Sequence, residues 1–335
     1  MSRDILVVGP SWVGDMVMAQ ALFMRLRERH PQAAIDVLAP GWSLPILARM
    51  PEVRAGIELP LGHGDFGFGE RRRIGHSLRG KKYAQAIVLP GSWKSALTPY
   101  FARIPRRTGY RREFRYGLLN DLRTLDKTIL PTTVQQFLAL AEEGAVTQAP
   151  SIPQPRLRAE AQRIAALRQQ FGLDSHKPVV ALMPGAEYGP AKRWPPEYFA
   201  ELSGRLVAAG HQIWVLGSAK EKELGAAIAQ GRADIHDLSG RTQLADVVDL
   251  LAAAGAAVSN DSGLMHVAAA VGTRLVAIYG SSSPKMTPPL SQEAQVLYLD
   301  LDCSPCFQRT CPLGHLNCLR QITPAQVFAT LLKPA

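Results

Sequence analysis

The sequence predicts an α/β protein with two doubly wound, Rossmann-like domains. Short apolar runs, typical of buried parallel strands, alternate with segments whose apolar residues recur at helical spacing, and this alternation occurs twice. Pro150, Pro153 and Pro155 lie between the two blocks and resist regular structure. The chain of 335 residues also exceeds one ordinary core. We therefore expect separate domains at residues 1–150 and 151–335.

The first block begins with an apolar run at residues 4–9 that ends in glycine and predicts a buried strand. Helical spacing of apolar residues then predicts a helix at 13–30, which Pro31 ends. The other elements expected in this block are strands at 35–39 and 84–89 and a helix at 132–144. This order is typical of a parallel sheet covered by helices.

The second block repeats the alternation. A strand at 178–183 precedes a helix at 195–209, whose first turn carries a well-placed proline. The remaining elements expected are a strand at 212–216, helices at 220–230 and 242–253, a strand at 256–259, a helix at 262–271 and a strand at 274–279. Ligands of such sheets bind beyond the carboxyl ends of the strands, so we expect the active site in a cleft between the two domains.

The net charge of +10 is distributed unevenly. Residues 1–150 carry 21 basic and 13 acidic side chains, whereas residues 151–335 carry 17 and 15. Within 71–127, 15 basic side chains stand against 3 acidic ones. This pattern indicates a basic surface for nucleic acid, an anionic membrane face or a phosphorylated acceptor, with an ordinary solvated face as the alternative. The basic run lacks the interleaved aromatics of a base-stacking surface, which argues against nucleic acid.

The chain also lacks the signals of a membrane-spanning or secreted protein. No apolar run reaches the ~20 residues that span a bilayer. The apolar run at 5–8 is too short for a signal peptide, and the charged Asp4 precedes it. We therefore expect a cytoplasmic protein.

The turn after the first predicted strand reads Gly-Pro-Ser-Trp-Val-Gly-Asp-Met over residues 9–16. It is not a dinucleotide fingerprint, and Asp15 stands where a phosphate-binding loop needs lysine. A carboxylate at a helix N-terminus is favoured in its ionised form and can accept a proton from a sugar hydroxyl as general base. The alternative is that Asp15 only caps the helix. We assign Gly14 of the same turn to substrate binding.

A long loop at residues 184–195 follows the first strand of the second block. It carries two cations, Lys192 and Arg193, at the carboxyl end of a strand, where a pyrophosphate leaving group needs positive charge. A solvated lysine is the alternative. From this loop we assign substrate binding to Gly185, Ala186, Glu187, Tyr188 and Arg193.

A second turn, at residues 258–266, joins a predicted strand to a predicted helix. Ser262 and Gly263 would place free backbone amides at the helix N-terminus, where anions bind. Asp261 at the mouth could bind sugar or ribose hydroxyls, and His266 lies one turn beyond Ser262 on the same side. Alternatively, Asp261 is only a cap and His266 a packed core residue.

Two weaker signals remain. Ser218 and Glu221 follow a predicted strand, where a carboxylate could bind ribose hydroxyls, although an ordinary charged helix face is the alternative. The four cysteines lie close together near the end of the chain, at Cys303, Cys306, Cys311 and Cys318, with His315 among them. Their spacing departs from a paired zinc knuckle, so reduced thiols in a structured loop are favoured over metal, which stays an alternative.

Several of these segments together resemble the ADP-heptose:lipopolysaccharide heptosyltransferases of glycosyltransferase family 9. The matching segments lie at residues 5–18, with Trp-Val-Gly-Asp-Met, at 184–195, with Lys-Arg-Trp-Pro, at 260–266 and at 303–318. The Cys-rich tail and the 184–189 loop are similar to the type II branch of this family. The resemblance spans nearly the whole chain.

The resemblance implies a GT-B fold with two facing Rossmann-like domains, the first binding the acceptor and the second the nucleotide-sugar donor. It implies an inverting transfer of heptose from ADP-L-glycero-D-manno-heptose to the first heptose of the lipopolysaccharide inner core. Asp15 would be the base, Lys192 would neutralise the diphosphate, and Asp261, Ser262, Gly263 and His266 would hold the diphosphate and donor sugar.

The resemblance also implies partners and cofactors. The basic runs at 71–82 and 103–115 would meet acceptor phosphates and carboxylates at the cytoplasmic face of the inner membrane, where the protein would be peripheral. No cofactor, catalytic metal or nucleic acid is expected, since the sequence has no acidic D-x-D pair and Lys192 with the helix amides can take the role of a metal. Alternatives are a heptosyltransferase I or III activity at another inner-core position and a nucleotide-sugar epimerase.

Overall fold

The computed structural model describes residues 3–62 and 64–333. The chain divides into two compact units, Met1–Pro155 and Arg156–Ala335. The division falls at the end of the Pro-rich stretch, a few residues beyond the boundary expected between 150 and 151.

The first unit contains one six-stranded parallel sheet with helices. Its strands are β1 (Ile5–Val8), β2 (Ile35–Ala39), β3 (Val53–Glu58), β4 (Gln85–Val88), β5 (Arg106–Tyr110) and β6 (Asp121–Arg123). Its α-helices are α1 (Val13–Arg29), α2 (Leu44–Leu47), α3 (Phe68–Leu78), α4 (Leu97–Phe101) and α5 (Thr133–Ala139). The strand order is β3-β2-β1-β4-β5-β6, and every pairing is parallel.

The second unit contains another six-stranded parallel sheet. Its strands are β7 (Val179–Met183), β8 (Gln212–Val215), β9 (Ile235–Asp237), β10 (Ala256–Asn260), β11 (Arg274–Ile278) and β12 (Ala294–Leu297). Its α-helices are α6 (Ala161–Phe171), α7 (Pro196–Ala208), α8 (Lys222–Ala229), α9 (Leu244–Ala253), α10 (Gly263–Ala270), α11 (Asn317–Arg320) and α12 (Pro324–Leu332). The order β9-β8-β7-β10-β11-β12 repeats that of the first sheet, which confirms the predicted α/β class with two doubly wound sheets.

The central strands follow from the sequence because helices cover both faces of the sheet. All four residues of β1 are buried, as are all five of β7, and both strands read as continuous apolar runs. The core of the second unit also holds large aromatic side chains, of which Trp194 and Phe199 pack edge to face with ring centroids 4.9 Å apart.

The exposed and edge elements escaped prediction. Strand β3 is mostly exposed, and β6 and β9 have only three residues each, so they lack a buried apolar run. Helix α3 lies in the arginine-rich stretch, which the sequence predicted only as a basic surface. The predicted end of the helix expected at 132–144 was wrong. The helix stops at Ala139, because residues 140–142 form tighter i→i−3 hydrogen bonds.

Helix lengths also bear on membrane insertion. Across residues 3–62 and 64–333, no helix combines the length and the apolar character needed to cross a bilayer.

Candidate active site

The two sheets reverse their winding at equivalent places, between β1 and β4 in the first unit and between β7 and β10 in the second. Ligands of doubly wound sheets bind in the crevice at this switch point, beyond the carboxyl ends of the strands. Asp15 follows β1, Lys192 follows β7 and Asp261 follows β10. The fold therefore gives three predicted site residues the positions at which such sheets bind ligands.

Asp15 lies in the first turn of α1. The helix begins at Val13 with Trp12 at the N-cap position, so Asp15 is the third helical residue and not the N-cap. The carboxylate is partly buried. The positive end of the helix favours its ionised form by roughly 0.3–1 kcal/mol. The turn is closely packed, since a Cβ on Gly9 would lie 2.7 Å from Cε of the buried Met16.

Three tryptophans mark the carboxyl edge of the first sheet. Trp12 follows β1, Trp42 follows β2 and Trp93 follows β4, and these strands are neighbours. Each side chain is 40–46% exposed. The indole Nε1 of Trp42 donates a hydrogen bond of 3.0 Å to the carbonyl of Ser11, which joins two of the loops.

These tryptophans were not among the residues predicted to form the site. The signal was present, because each one stands a few residues beyond the end of a strand. Tryptophan offers a large amphipathic ring surface at low cost in side-chain entropy, which suits recognition of a sugar ring.

In the second unit, a buried carboxylate holds Lys192. Asp261 is 5% exposed, and its Oδ2 lies 2.5 Å from Nζ of Lys192 and accepts a hydrogen bond from the hydroxyl of Ser282. The backbone amide of Asp261 donates to the carbonyl of Ile278, which ties the end of β10 to β11. A buried ion pair is tolerated when its geometry is good and further hydrogen bonds satisfy its atoms. Asp261 thus fixes the ammonium group at the switch point.

The predicted anion-binding turn opens α10. Ser262 occupies the N-cap position, yet its side chain does not cap the helix, and its Oγ lies 3.3 Å from Oγ of Ser259. The amides of the first turn, from Gly263 onward, have no acceptor within the helix. Together with the positive end of the helix dipole, they favour an anion such as a phosphate.

His266 lies in α10 and is buried. Burial, opposed by Asp261 and reinforced by Lys192, lowers the pKa of this imidazole to about 4. His266 is therefore neutral at pH 7 and can contribute hydrogen bonds but no positive charge. The side chain is thus packed in the interior, beside the charges of Asp261 and Lys192, and its role in substrate binding stays a prediction.

The loop between β7 and α7 is pinned at both ends by one amide side chain. Asn260 is fully buried, and its Nδ2 donates 2.6 Å to the carbonyl of Pro184 while its Oδ1 accepts 2.9 Å from the amide of Trp194. The indole of Trp194 donates in turn to the carbonyl of Ile322. Because Lys192 lies just before Trp194, this framework sets the position of the lysine.

Tyr188 joins this loop to the Cys-rich segment. Its hydroxyl donates 2.8 Å to the carbonyl of Phe307, and its ring has Nζ of Lys192 at 5.2 Å and Cζ of Arg309 at 5.3 Å from the centroid. Gly189 fits because a Cβ there would lie 2.5 Å from the Arg309 carbonyl oxygen. No sequence pattern indicated that Arg309 or Ser282 belongs to this site, since both come from distant segments.

Other predicted ligands hold the loops together. Arg193 donates 3.1 Å to the carbonyl of Ala186, so it bridges two points of its own loop. Glu187 forms a 2.5 Å ion pair with Lys220, and both side chains are largely exposed. Exposed pairs of this kind contribute little to stability, about 0–1 kcal/mol.

Ser218 and Glu221 form a capping box at the start of a short 3-10 turn. The Oε2 of Glu221 accepts from the Ser218 amide at 2.5 Å and from its hydroxyl at 2.7 Å. A Cβ on Gly185 would collide with Oε1 of Glu221, so a larger residue there would have to displace the end of that side chain. The capping role is what the contacts describe, and a ribose-binding role for this pair stays a prediction.

The four cysteines are free thiols that line one cavity of about 20 Å³ together with His315. Burial raises the pKa of the Cys318 thiol to about 11, and the other three cysteines add to this effect. In the part of the chain that the structure describes, no group of three or more His, Cys, Asp or Glu side chains could hold a metal ion. The cavity adjoins Ala191, next to Lys192.

Comparisons with known proteins agree with one another. The model of glycosyltransferase family 9 (heptosyltransferase) matches residues 71–317. The chain is 49% identical to lipopolysaccharide heptosyltransferase 2 of Salmonella typhimurium and equally to that of Escherichia coli, over 98% of this chain and 97% of each relative. It also matches the solved structure of E. coli ADP-heptose LPS heptosyltransferase II with a TM-score of 0.88 and 47% identity, covering 98% of this chain and 97% of that one.

Proposed function

Because the chain belongs to glycosyltransferase family 9, the heptosyltransferases, and is therefore a glycosyltransferase with the GT-B class of fold, we propose the transfer that its relatives' names describe. The enzyme moves L-glycero-D-manno-heptose from ADP-heptose to the first heptose of the lipopolysaccharide inner core, heptosyl-Kdo2-lipid A. The donor domain is residues 151–335 and the acceptor domain is residues 1–150.

One observation supports the assignment of the donor site. Asp261, which lies between β10 and α10, holds the ammonium group of Lys192 at the switch point of the second sheet, next to the amides that open α10. A diphosphate bound there meets a fixed ammonium group and oriented N–H donors. These groups need no reorganisation as negative charge develops on the leaving ADP, and such preorganisation usually accelerates a reaction more than any other single effect. The reaction requires no metal ion and no cofactor.

The transfer is a single displacement with inversion. The acceptor hydroxyl oxygen attacks the anomeric carbon, the bond from that carbon to the diphosphate oxygen breaks, and ADP leaves with the electron pair. The hydroxyl proton passes to the carboxylate of Asp15, which acts as general base. A carboxylate at a helix N-terminus, beyond the carboxyl end of β1, supports this role.

The remaining substrate contacts are divided between the two domains. On the donor side we assign the turn residues Asp261, Ser262, Gly263 and His266, together with Gly185, Ala186, Glu187, Tyr188, Arg193, Ser218 and Glu221. On the acceptor side we assign Gly14 and the three edge tryptophans, with the basic stretches 71–82 and 103–115 meeting acceptor phosphates and carboxylates. The acceptor is anchored in lipid, so the protein works as a peripheral enzyme at the cytoplasmic face of the inner membrane.

Isotope-labelled ADP-heptose and a series of defined acceptors test the proposal. We expect label on heptosyl-Kdo2-lipid A and none on Kdo2-lipid A, with rates unchanged by a chelator. Label on Kdo2-lipid A alone would indicate heptosyltransferase I activity, and label only on acceptors that already carry two heptoses would indicate a type III activity. Conversion of the donor without any acceptor would point to an epimerase and contradict the proposal.

A further inference from the structure

A chain of aromatic rings crosses the surface of the first unit. Trp93 contacts Phe66 with centroids 5.2 Å apart, Phe66 contacts Phe68 at 5.9 Å, Phe68 contacts Phe101 at 5.5 Å, and Phe101 contacts Tyr100 at 5.6 Å. We call these five rings the aromatic strip. Four of the five are 41–48% exposed, with Phe101 less so. Contiguous exposed aromatic surface of this kind marks an interaction site.

The strip rests on a firm base, because α3 and α4 pack closely. A Cβ on Gly75 would lie 2.7 Å from the carbonyl oxygen of Thr98, so glycine allows the two helices to approach. Phe68 begins α3, and Phe101 ends α4. This packing holds Phe68, Tyr100 and Phe101 in place without a bound partner.

Cations surround the strip. Arg79 donates 2.9 Å to the Phe101 carbonyl, Arg107 lies 5.7 Å over the Tyr100 ring, and Lys94 donates to a carbonyl two residues before Phe66. Two further arginines, Arg72 and Arg103, lie near His76, which packs beside Phe101. Desolvation lowers the pKa of that imidazole, and Arg79, Arg72 and Arg103 lower it further. Within residues 3–62 and 64–333, none of these five cations forms an ion pair with a carboxylate.

We propose that the aromatic strip and its cations dock the protein on an anionic lipid surface. Half-exposed aromatic rings favour the interface between lipid headgroups and acyl chains, and lysine and arginine stems reach from there to lipid phosphates. Burial of the strip's rings adds an apolar contribution to the free energy of membrane binding. This contribution persists at high salt, where the charge attraction is screened. The inference rests on the proposed function for the lipid partner, because a lipid-anchored acceptor has to be met at a membrane.

Lipid fits this surface better than nucleic acid does. Proteins that bind single strands present separate ring faces on which successive bases stack. In the strip the rings instead pack on each other, tilted or edge to face, with interplanar angles from 36° to 85°. Such a patch offers one apolar surface and few open faces, and an oligonucleotide is therefore the competing partner in the test.

Vesicle sedimentation with the full chain tests the docking surface. We expect binding to phosphatidylethanolamine vesicles that contain phosphatidylglycerol, weaker binding to phosphatidylcholine vesicles, and a measurable remainder at about 0.5 M NaCl, where screening acts within roughly 4 Å. The triple variant F66A/F68A/Y100A should lower the affinity about tenfold or more and remove the salt-resistant part. The control is Leu332→Ala, which removes an exposed apolar side chain from α12 of the second unit, outside the strip and the basic stretches, and should leave binding unchanged.

Three results would overturn the docking proposal. They are triple-variant binding equal to that of the unchanged protein, complete loss of the unchanged protein's binding at about 0.5 M NaCl, and tighter binding of a single-stranded oligonucleotide than of the anionic vesicles. The salt series uses only the unchanged protein, so it tests the docking proposal even if the triple variant unfolds. Turnover of a soluble, deacylated acceptor separates the two proposals: its absence in the unchanged protein would count against the proposed function and leave the vesicle result standing.

Discussion

The two units share one strand order, yet the carboxyl edges of their sheets carry opposite kinds of side chain. The edge of the first sheet is open, with half-exposed tryptophans and abundant cations. The edge of the second is closed, with Asp261, Ser282 and His266 buried around the ammonium group of Lys192. The same frame thus supports two different recognition surfaces, and the loops after the strands decide which one forms.

This difference matches what each surface would bind. A diphosphate is small and highly charged, and it is held best by fixed donors in a partly dry site. A lipid-anchored oligosaccharide is large, with many hydroxyl groups and negative charges, and it suits broad ring surfaces and solvated cations. We therefore expect substitutions at the closed edge to affect turnover and, apart from the proposed base Asp15, substitutions at the open edge to affect acceptor affinity.

Apart from the proposed base Asp15, the largest effect should come from the closed edge. Lys192 and Lys220 both lie 2.5 Å from a carboxylate, but the Lys192 side chain is 19% exposed and that of Lys220 is 74% exposed. Lys192→Met should lower kcat by about 10²–10³-fold, because a preorganised charge on the leaving group is lost. Lys220→Met is the matched control and should change kcat less than about threefold. Equal effects of the two substitutions in steady-state assays would contradict the distinction.

A smaller effect is expected at the open edge. Trp42→Ala should raise KM for the acceptor roughly tenfold and leave KM for ADP-heptose and kcat nearly unchanged, because stacking of this kind is worth about 1–2 kcal/mol. Steady-state kinetics with each substrate varied in turn would measure this split. A change confined to KM for ADP-heptose would show that Trp42 affects donor binding, and would contradict its assignment to the acceptor surface.

A third effect concerns stability and pH and leaves turnover at neutral pH aside. The pKa of His266 is about 4 in the folded protein against an ordinary 6.5, so its contribution to stability is complete above pH 6.5 and is lost as the pH falls towards 4. Between pH 7.5 and 4.5 the free energy of unfolding should fall by roughly 2–3 kcal/mol more in the unchanged protein than in His266→Gln. Urea unfolding at both pH values measures this difference, and parallel losses in the two proteins would count against it.

Sequence reasoning found the closed edge more completely than the open one, for physical reasons. Lys192 and Asp261 lie in loops that follow buried strands, His266 lies in the helix after Asp261, and parallel strands bring their carboxyl ends to one edge. Ser282 joins them from a segment with no comparable signal. The partners of a buried carboxylate depend on packing, which a single sequence does not reveal.

The aromatic strip shows what the sequence could not predict in the first unit. Phe66, Trp93 and Phe101 come from three separate segments, and their contacts appear only when α3 and α4 pack together. In the sequence, the same region shows only an excess of arginine. The basic surface was therefore predictable, whereas the apolar surface within it was not.

The most direct measurement of the central claim is transfer by Asp15→Asn, assayed with labelled ADP-heptose and a soluble acceptor. Asparagine keeps the size of the side chain but cannot accept the hydroxyl proton, so turnover should fall by about 10³-fold or more while the dissociation constant for the donor stays within about twofold. Turnover close to that of the unchanged protein, with donor binding intact, would remove Asp15 from the chemistry and contradict the account.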